Sequence, residues 1–218
     1  MGLDHRDFME LFDQWAPTYD ETVFRTEPAD GFERYQDVLA RAAELAGAGP
    51  GTAVLDVGTG TGNLACLLAE KGARVVAVEP SPAMRAEAER KLPGIPVLEG
   101  QFLALPAADQ AFDAAVSTYA FHHLPDADKP RGAAELLRVV KPGGRIVLGD
   151  VAWADEGARL AMLRRFEAAG KHDLVKEIEE EYYPTIGLLV AVFAALGCSV
   201  YVEQLTDWVW VLAARKRS

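Results

Sequence analysis

The chain is short of cysteine, of long apolar runs and of basic residues, and each shortage closes off a class of function. Only two cysteines occur in 218 residues, Cys66 and Cys198. A disulfide-stapled scaffold is thereby excluded, their spacing fits no metal-binding pattern, and two thiols in a reducing compartment are expected. Ile186 to Leu196 is apolar but too short to cross a bilayer. Met1 to Arg6 lacks the apolar core of a secretory signal, so a cytoplasmic protein without membrane contact is expected. Lys and Arg number 22 against 33 Asp and Glu, a net charge of −11. That balance disfavours the phosphate backbone of nucleic acid as a partner. The one basic run, Arg215 to Arg217, reads as a solvated tail. Internal repeats and low-complexity stretches are also lacking.

What is present is ordinary globular composition, half hydrophobic and a quarter charged. The length suits one domain, 1–218, with a sizeable core. Its organising stretch is VLDVGTGTGN, Val54 to Asn63. A β-branched run, Thr52 to Val57, stops at Gly58, Gly60 and Gly62 and continues as a helical Leu64 to Ala69. Strand, permissive turn and helix start together make a ligand cradle: main chain can approach closely, and a helix N-terminus offers free N–H groups. The spacing is not that of the dinucleotide fingerprint, because Asn63 stands at the sixth position. The next strand, Arg74 to Glu79, ends in an acid about 20 residues beyond the first glycine, where a carboxylate accepts ribose hydroxyls.

Strands and helices then alternate. A helix over Pro82–Leu92 has Ser81 as its N-cap and proline in its first turn. A short strand lies near Val97–Glu99, another strand at Phe112–Ser117, a helix at Asp128–Val140, and a strand at Arg145–Asp150 after a Pro142-Gly143-Gly144 turn. This order demands a doubly wound α/β fold, a parallel sheet with helices on both faces and right-handed crossovers. Before the glycine turn, Phe8, Leu11, Phe12 and Trp15 mark a short helix interrupted by Pro17, with a turn at Thr18–Asp20, and Asp30–Ala46 reads as an amphipathic helix. Beyond Asp150 come helices over Asp155–Ala169, His172–Glu181 and Thr185–Leu196, then a strand pair, Val200–Gln204 and Val209–Ala214.

The acid–spacer–glycine-rich motif resembles that of the class I S-adenosylmethionine (SAM) dependent methyltransferases. VEPSPAM (Val78–Met84), STYAFHHL (Ser117–Leu124) and FDQWAPTYDETV (Phe12–Val23) are similar to the YrrT-like group of small-molecule methyltransferases, over about Phe8 to Ala214. The resemblance implies a Rossmann-like sheet of seven strands with the last antiparallel. It implies methyl transfer from SAM to a small-molecule acceptor, with S-adenosylhomocysteine as product. On the cofactor side it puts Asp56, Gly58, Thr59, Gly60 and Gly62 around the methionyl part, Glu79 on the ribose, and Pro80 and Met84 against adenine. Gln101 stands where the family usually has aspartate; its amide oxygen accepts without charge, and the Phe102 N–H is a second contact. Thr118 opens the loop beside the reactive end.

For the acceptor side, His122 and His123 are candidate bases, since histidine changes protonation near neutral pH. The plainer arrangement is one histidine bonded to backbone and the other a packing residue. Tyr19 is a candidate in a segment, 1–30, expected to close over the cofactor as a lid, with simple packing onto the domain as the equal alternative for its ring. Residues 151–185 are expected to line the acceptor pocket. Neither a base nor a metal is required by the sequence, because alignment and exclusion of water carry much of methyl transfer. Two other readings stay open: a SAM-binding protein without catalysis, and an NAD(P)-dependent oxidoreductase. The acceptor and a homodimer are open as well.

Overall fold

The computed structural model describes residues 5–25 and 32–217, with side chains from residue 8 onward in the first segment. In chain order the elements before the sheet are α1 (His5–Trp15), α2 (Tyr19–Val23) and α3 (Tyr35–Ala46). They are followed by β1 (Ala53–Val57), α4 (Asn63–Glu70), β2 (Arg74–Val78), α5 (Pro82–Lys91), β3 (Val97–Leu98) and β4 (Phe112–Thr118). Then come α6 (Lys129–Val139), β5 (Val140–Val151), α7 (Glu156–Ala168), α8 (His172–Glu180), α9 (Ile186–Ala195), β6 (Ser199–Gln204) and β7 (Val209–Arg215).

The strands form one seven-stranded sheet in the order β3-β2-β1-β4-β5-β7-β6, with β7 antiparallel to both neighbours. β1 is buried along its whole length, as a central strand covered on both faces must be. Its side chains alternate between two cores: Val54 packs with α3 and α4, Leu55 with α6 and α9. The direction of winding reverses between β1 and β4. Ligands of open α/β sheets bind outside the carboxyl ends of strands at such a switch point. Gly58 and Thr118 leave the sheet there.

Caps read from sequence are made. The Ser81 hydroxyl accepts from the Met84 N–H at 3.1 Å, with Pro82 in the first turn. Three expectations need correction. The helix expected over Asp30–Ala46 begins at Tyr35, because Arg34 is left-handed at φ 63° and cannot extend it; Asp30 lies outside the described residues. The turn expected at Thr18–Asp20 is a 3-10 turn at Ala16–Thr18 followed by α2, since Pro17 occupies a first-turn position that tolerates its missing N–H. Pro142–Gly144 lies within β5, where the pairing with β4 shifts register between Phe112 and Ala114.

Candidate active site

The first loop out of the sheet is the glycine turn. Gly58, Gly60 and Gly62 all have positive φ, at 70°, 56° and 87°. A Cβ on Gly58 would stand 2.6 Å from the Ala120 Cβ, so the turn lies hard against the loop after β4. A Cβ on Gly60 would meet nothing within 4 Å, leaving main chain bare to the crevice. Asp56, at the end of β1, braces the turn from behind: its Oδ2 accepts from the Thr59 hydroxyl at 2.6 Å. Burial pushes the Asp56 carboxyl up to about 7, the Thr59 bond opposes this, and the charge of Glu79 adds to it.

Glu79 follows β2 and is 6 % exposed. Its Oε2 accepts from the Gly60 N–H and its Oε1 from the Ser81 N–H, both at 2.9 Å. Burial raises its carboxyl to about 7 in spite of these bonds. The acid is therefore held rigidly beside the glycine turn in a water-poor wall.

Between these loops lies a cavity of about 560 Å³. Gly58, Thr59, Gly60, Glu79, Pro80, Met84, Gln101, Phe102 and Thr118 line one part of it, and Tyr19, Tyr119, His123 and Tyr182 are also in its wall. Asp56, Gly62 and His122 are not in the wall: Asp56 braces the turn, Gly62 precedes α4, and His122 is buried behind His123. From 151–185 only Tyr182 reaches the cavity.

Two aspartates fasten the N-terminal segment across the site. Asp13 of α1 accepts from the Ser81 hydroxyl at 2.5 Å and the Ala83 N–H at 3.1 Å. Asp20 of α2 accepts from the Thr61 hydroxyl at 2.7 Å and the Asn63 amide at 3.0 Å, and forms an ion pair with Lys91. Phe8 and Phe12 pack on the His123 ring at centroid distances of 4.7 and 5.1 Å. Asp20→Ala leaves three donors without their shared acceptor, a loss of about 1–2 kcal/mol for a partly exposed charged group. Amide exchange over residues 5–25 is expected to speed up about tenfold while the sheet stays protected. Unchanged exchange there means the aspartate does not fasten the segment.

Beyond β4 a 3-10 turn, Phe121–His123, presents the two histidines side by side, ring centroids 3.9 Å apart. His122 Nδ1 lies 2.5 Å from Asp150 Oδ1, and its backbone N–H donates to Asp150 Oδ2 at 3.1 Å. Asp150 sits on β5 below the turn, out of the cavity wall. His123 Nδ1 lies 3.0 Å from Glu181 Oε2, while His122 Nε2 is 4.0 Å from the same oxygen. Burial lowers both imidazoles; for His122 the Asp150 charge outweighs it and the net direction is up, and for His123 the neighbouring His122 adds to it and the net direction is down.

Lys129, fully buried on α6, pins this arrangement. Its Nζ donates to the carbonyls of Leu124, Tyr182 (2.8 Å) and His122 (3.5 Å), and pairs with Asp126 at 3.0 Å. The histidine turn and the Glu181 segment are thus tied to one ammonium group.

Sequence reasoning missed Glu181, Lys129, Asp13, Asp20 and Tyr119. Glu181 looks like one acid in an acidic helix, and its partner stands 58 residues away. Tyr119 is left-handed at φ 53° and its buried hydroxyl has no hydrogen-bond partner among the described residues. Strain of that kind gathers at functional sites, and no feature of the one-letter code announces it.

Comparison with known proteins bears on the family and the fold. A methyltransferase-domain family matches residues 54–144. An uncharacterized methyltransferase of Geobacillus kaustophilus is 40% identical over 216 residues, covering 98% of this chain and 99% of its own. Among solved structures, the cyclase SpnF has a TM-score of 0.76 at 17% identity, covering 100% of this chain and 97% of its own. The protein solved with the Haloferax volcanii Trm112 methyltransferase activator has 0.70 at 20%, covering 95% and 98%. At such identities the structures speak for the fold alone. Among the described residues no helix is long and apolar enough to cross a membrane. Identity of 40% to a methyltransferase over 98% of this chain makes the chain a member of the methyltransferase family.

Proposed function

We propose that the cavity holds SAM against the glycine turn and Glu79, and that the chain methylates a small acceptor entering beside Tyr19, His123 and Tyr182. The observation that carries the reading is one cavity bordered by a bare-glycine main chain, a buried carboxylate and an imidazole. Its volume lies within the range of small-molecule sites. The residues suit the group: a carboxylate for hydroxyls, Pro80, Met84 and Phe102 for an aromatic base, and a buried Tyr119 hydroxyl that lacks a partner among the described residues. When bound, the cofactor supplies an electrophilic methyl carried on a sulfonium.

The chain's own part is to align and to dry the site. Glu79 accepts the ribose hydroxyls, the Gly58–Gly60 main chain and Thr59 lie along the methionyl part, and Gln101, the Phe102 N–H and Thr118 complete the wall. Asp56 and Gly62 act through the shape of the turn. The segment fastened by Asp13 and Asp20 serves as a lid, so that Phe8, Phe12 and Tyr19 exclude water from the acceptor. Of the two candidate histidines, His123 faces the acceptor space, with Glu181 at its Nδ1 and the His122–Asp150 pair behind.

Ribose hydroxyls donate to an ionised carboxylate, so binding favours the charged form of Glu79 and expels a proton wherever the free group is protonated. With the free carboxyl near 7, affinity for S-adenosylhomocysteine rises from about pH 5 to about pH 7 and then levels. Calorimetric titration in buffers of different ionisation enthalpy will show proton release near pH 6 that disappears in Glu79→Gln. An affinity flat across this interval contradicts the ribose role.

The overall reading is tested by thermal shift and by product detection. SAM and S-adenosylhomocysteine are expected to raise the melting temperature and NAD or NADP to leave it unchanged. Incubation with SAM and a metabolite pool is expected to yield S-adenosylhomocysteine. Stabilisation by NAD instead returns the oxidoreductase reading; binding of SAM with no product from any pool leaves a non-catalytic binder.

A further inference from the structure

The histidine–glutamate cluster at the acceptor end has the donor set of a metal centre. We propose that His122 Nε2, His123 Nδ1 and Glu181 Oε2 bind a divalent transition ion of the zinc class. The three ligand atoms lie within 4.8 Å of one another. Glu181 Oε2 is 3.0 Å from one imidazole nitrogen and 4.0 Å from the other. Those two separations bracket the edge of about 3.4 Å that a tetrahedral ion with bonds of about 2.1 Å requires. The third separation, between the two imidazole nitrogens, is at most 4.8 Å, so rotation of the imidazoles by about an ångström closes the site.

The surroundings are those of a ligand set held ready. Asp150 Oδ1 lies 2.5 Å from His122 Nδ1, which leaves Nε2 as the nitrogen turned to the ion; a carboxylate behind a ligating imidazole is the usual outer partner of such sites. Lys129 binds the carbonyls of His122 and Tyr182, and so holds the two chain segments that bring the ligands together. All three side chains are well buried, at 6, 19 and 8 % exposure, and Phe8 and Phe12 cover His123. Two imidazoles and one carboxylate select zinc, cobalt, nickel or ferrous iron over magnesium or calcium, which take oxygen ligands. Among the described residues no fourth His, Cys, Asp or Glu joins the group. With Asp150 behind, the remaining position falls to a molecule in the cavity that His123 borders.

The site deepens the methyltransferase reading and takes its purpose from it. An acceptor alcohol, phenol or thiol that ligates the ion does so as its anion, its proton passing to water, and is then held nucleophilic with no side-chain base. The metal site itself stands on geometry and is testable without any acceptor.

The purified full chain, stripped with chelator, is titrated with Zn²⁺ against a chromophoric chelator and with Co²⁺ by visible absorption. One equivalent of each is expected, Co²⁺ giving the ligand-field bands of a four- or five-coordinate ion. Glu181→Gln and His123→Ala are expected to lower Zn²⁺ affinity at least 100-fold, and Asp150→Asn 10- to 100-fold. His172→Ala, on the exposed start of α8, is expected to change nothing. Calorimetry with S-adenosylhomocysteine on the same samples reports folding and the cofactor site separately. A wild type that takes up no stoichiometric Zn²⁺, or variants that bind it as tightly as wild type, overturns the metal proposal whatever the nucleoside titration shows. Loss of nucleoside binding in the wild type removes the methyltransferase reading instead.

Discussion

Glu79→Ala is expected to weaken binding of S-adenosylhomocysteine by about 10²-fold or more while the sheet remains folded. The carboxylate offers two oxygens to a vicinal diol, and each hydrogen bond to a charged acceptor contributes about 1.5–3 kcal/mol. Together they exceed the 1.4 kcal/mol that makes one factor of ten. The substitution also frees the N–H groups of Gly60 and Ser81, which now donate to Glu79, so the glycine turn loses its anchor as well as its acceptor. Stability is affected less, because a buried carboxyl raised to about 7 is itself unfavourable as an anion at neutral pH. Glu79→Gln, with one acceptor oxygen left, should fall between wild type and alanine. Calorimetric affinities within threefold of wild type would show that the acid does not hold the sugar.

Gly58→Ala is expected to be the most damaging small substitution in the site. An L residue at φ 70° costs about 1–2 kcal/mol. Its methyl would stand 2.6 Å from the Ala120 Cβ, a contact that nothing flexible relieves, and overpacking of this kind adds about 1–3 kcal/mol. A total of about 3 kcal/mol lowers the melting temperature of a domain this size by about 10 °C. It also pushes the glycine turn away from the loop that carries Thr118 and the histidines. Gly60→Ala separates the two causes: its φ of 56° brings strain without any neighbour within 4 Å. It should lose less stability than Gly58→Ala yet still impair nucleoside binding, because its methyl projects where the main chain is bare. Equal melting temperatures for the Gly58 variant and wild type would contradict the close approach of the two loops.

The sheet was legible because its signals are local. Thr52 to Val57 is largely apolar, as a strand covered on both faces must be, with Asp56 as its one acid, and Gly58, Gly60 and Gly62 punctuate it before an apolar helix. The alternation from β1 to β5 then leaves few topologies, and the antiparallel β7 follows from the family resemblance. Boundaries failed where local rules compete. Arg34, a good helix former, delays the start of α3 to Tyr35 by its left-handed backbone, and Pro142 stands inside a strand beside a register shift instead of in a turn.

The cofactor half of the site was readable for the same reason, since loop and acid each follow a strand. Even there the motif could not tell a residue that faces the cavity from one that supports it. Asp56 and His122 carry the motif's letters and stand behind the wall. The acceptor half was opaque because it is made by long-range contacts. Asp13 meets Ser81, Asp20 meets Lys91, and His123 meets Glu181 only after the chain has folded. Acids in surface helices have no spacing that marks them as partners of a distant imidazole.

The central claim is that the crevice between the glycine turn and the loop after β4 is a SAM site whose far end activates the acceptor. A crystal structure with S-adenosylhomocysteine bound tests it most directly. The ribose hydroxyls should lie within hydrogen-bond distance of Glu79, the adenine between Pro80 and Phe102, and the sulfur toward His123. A nucleoside bound elsewhere, or a Glu79 carboxylate turned away from its sugar, would contradict the account.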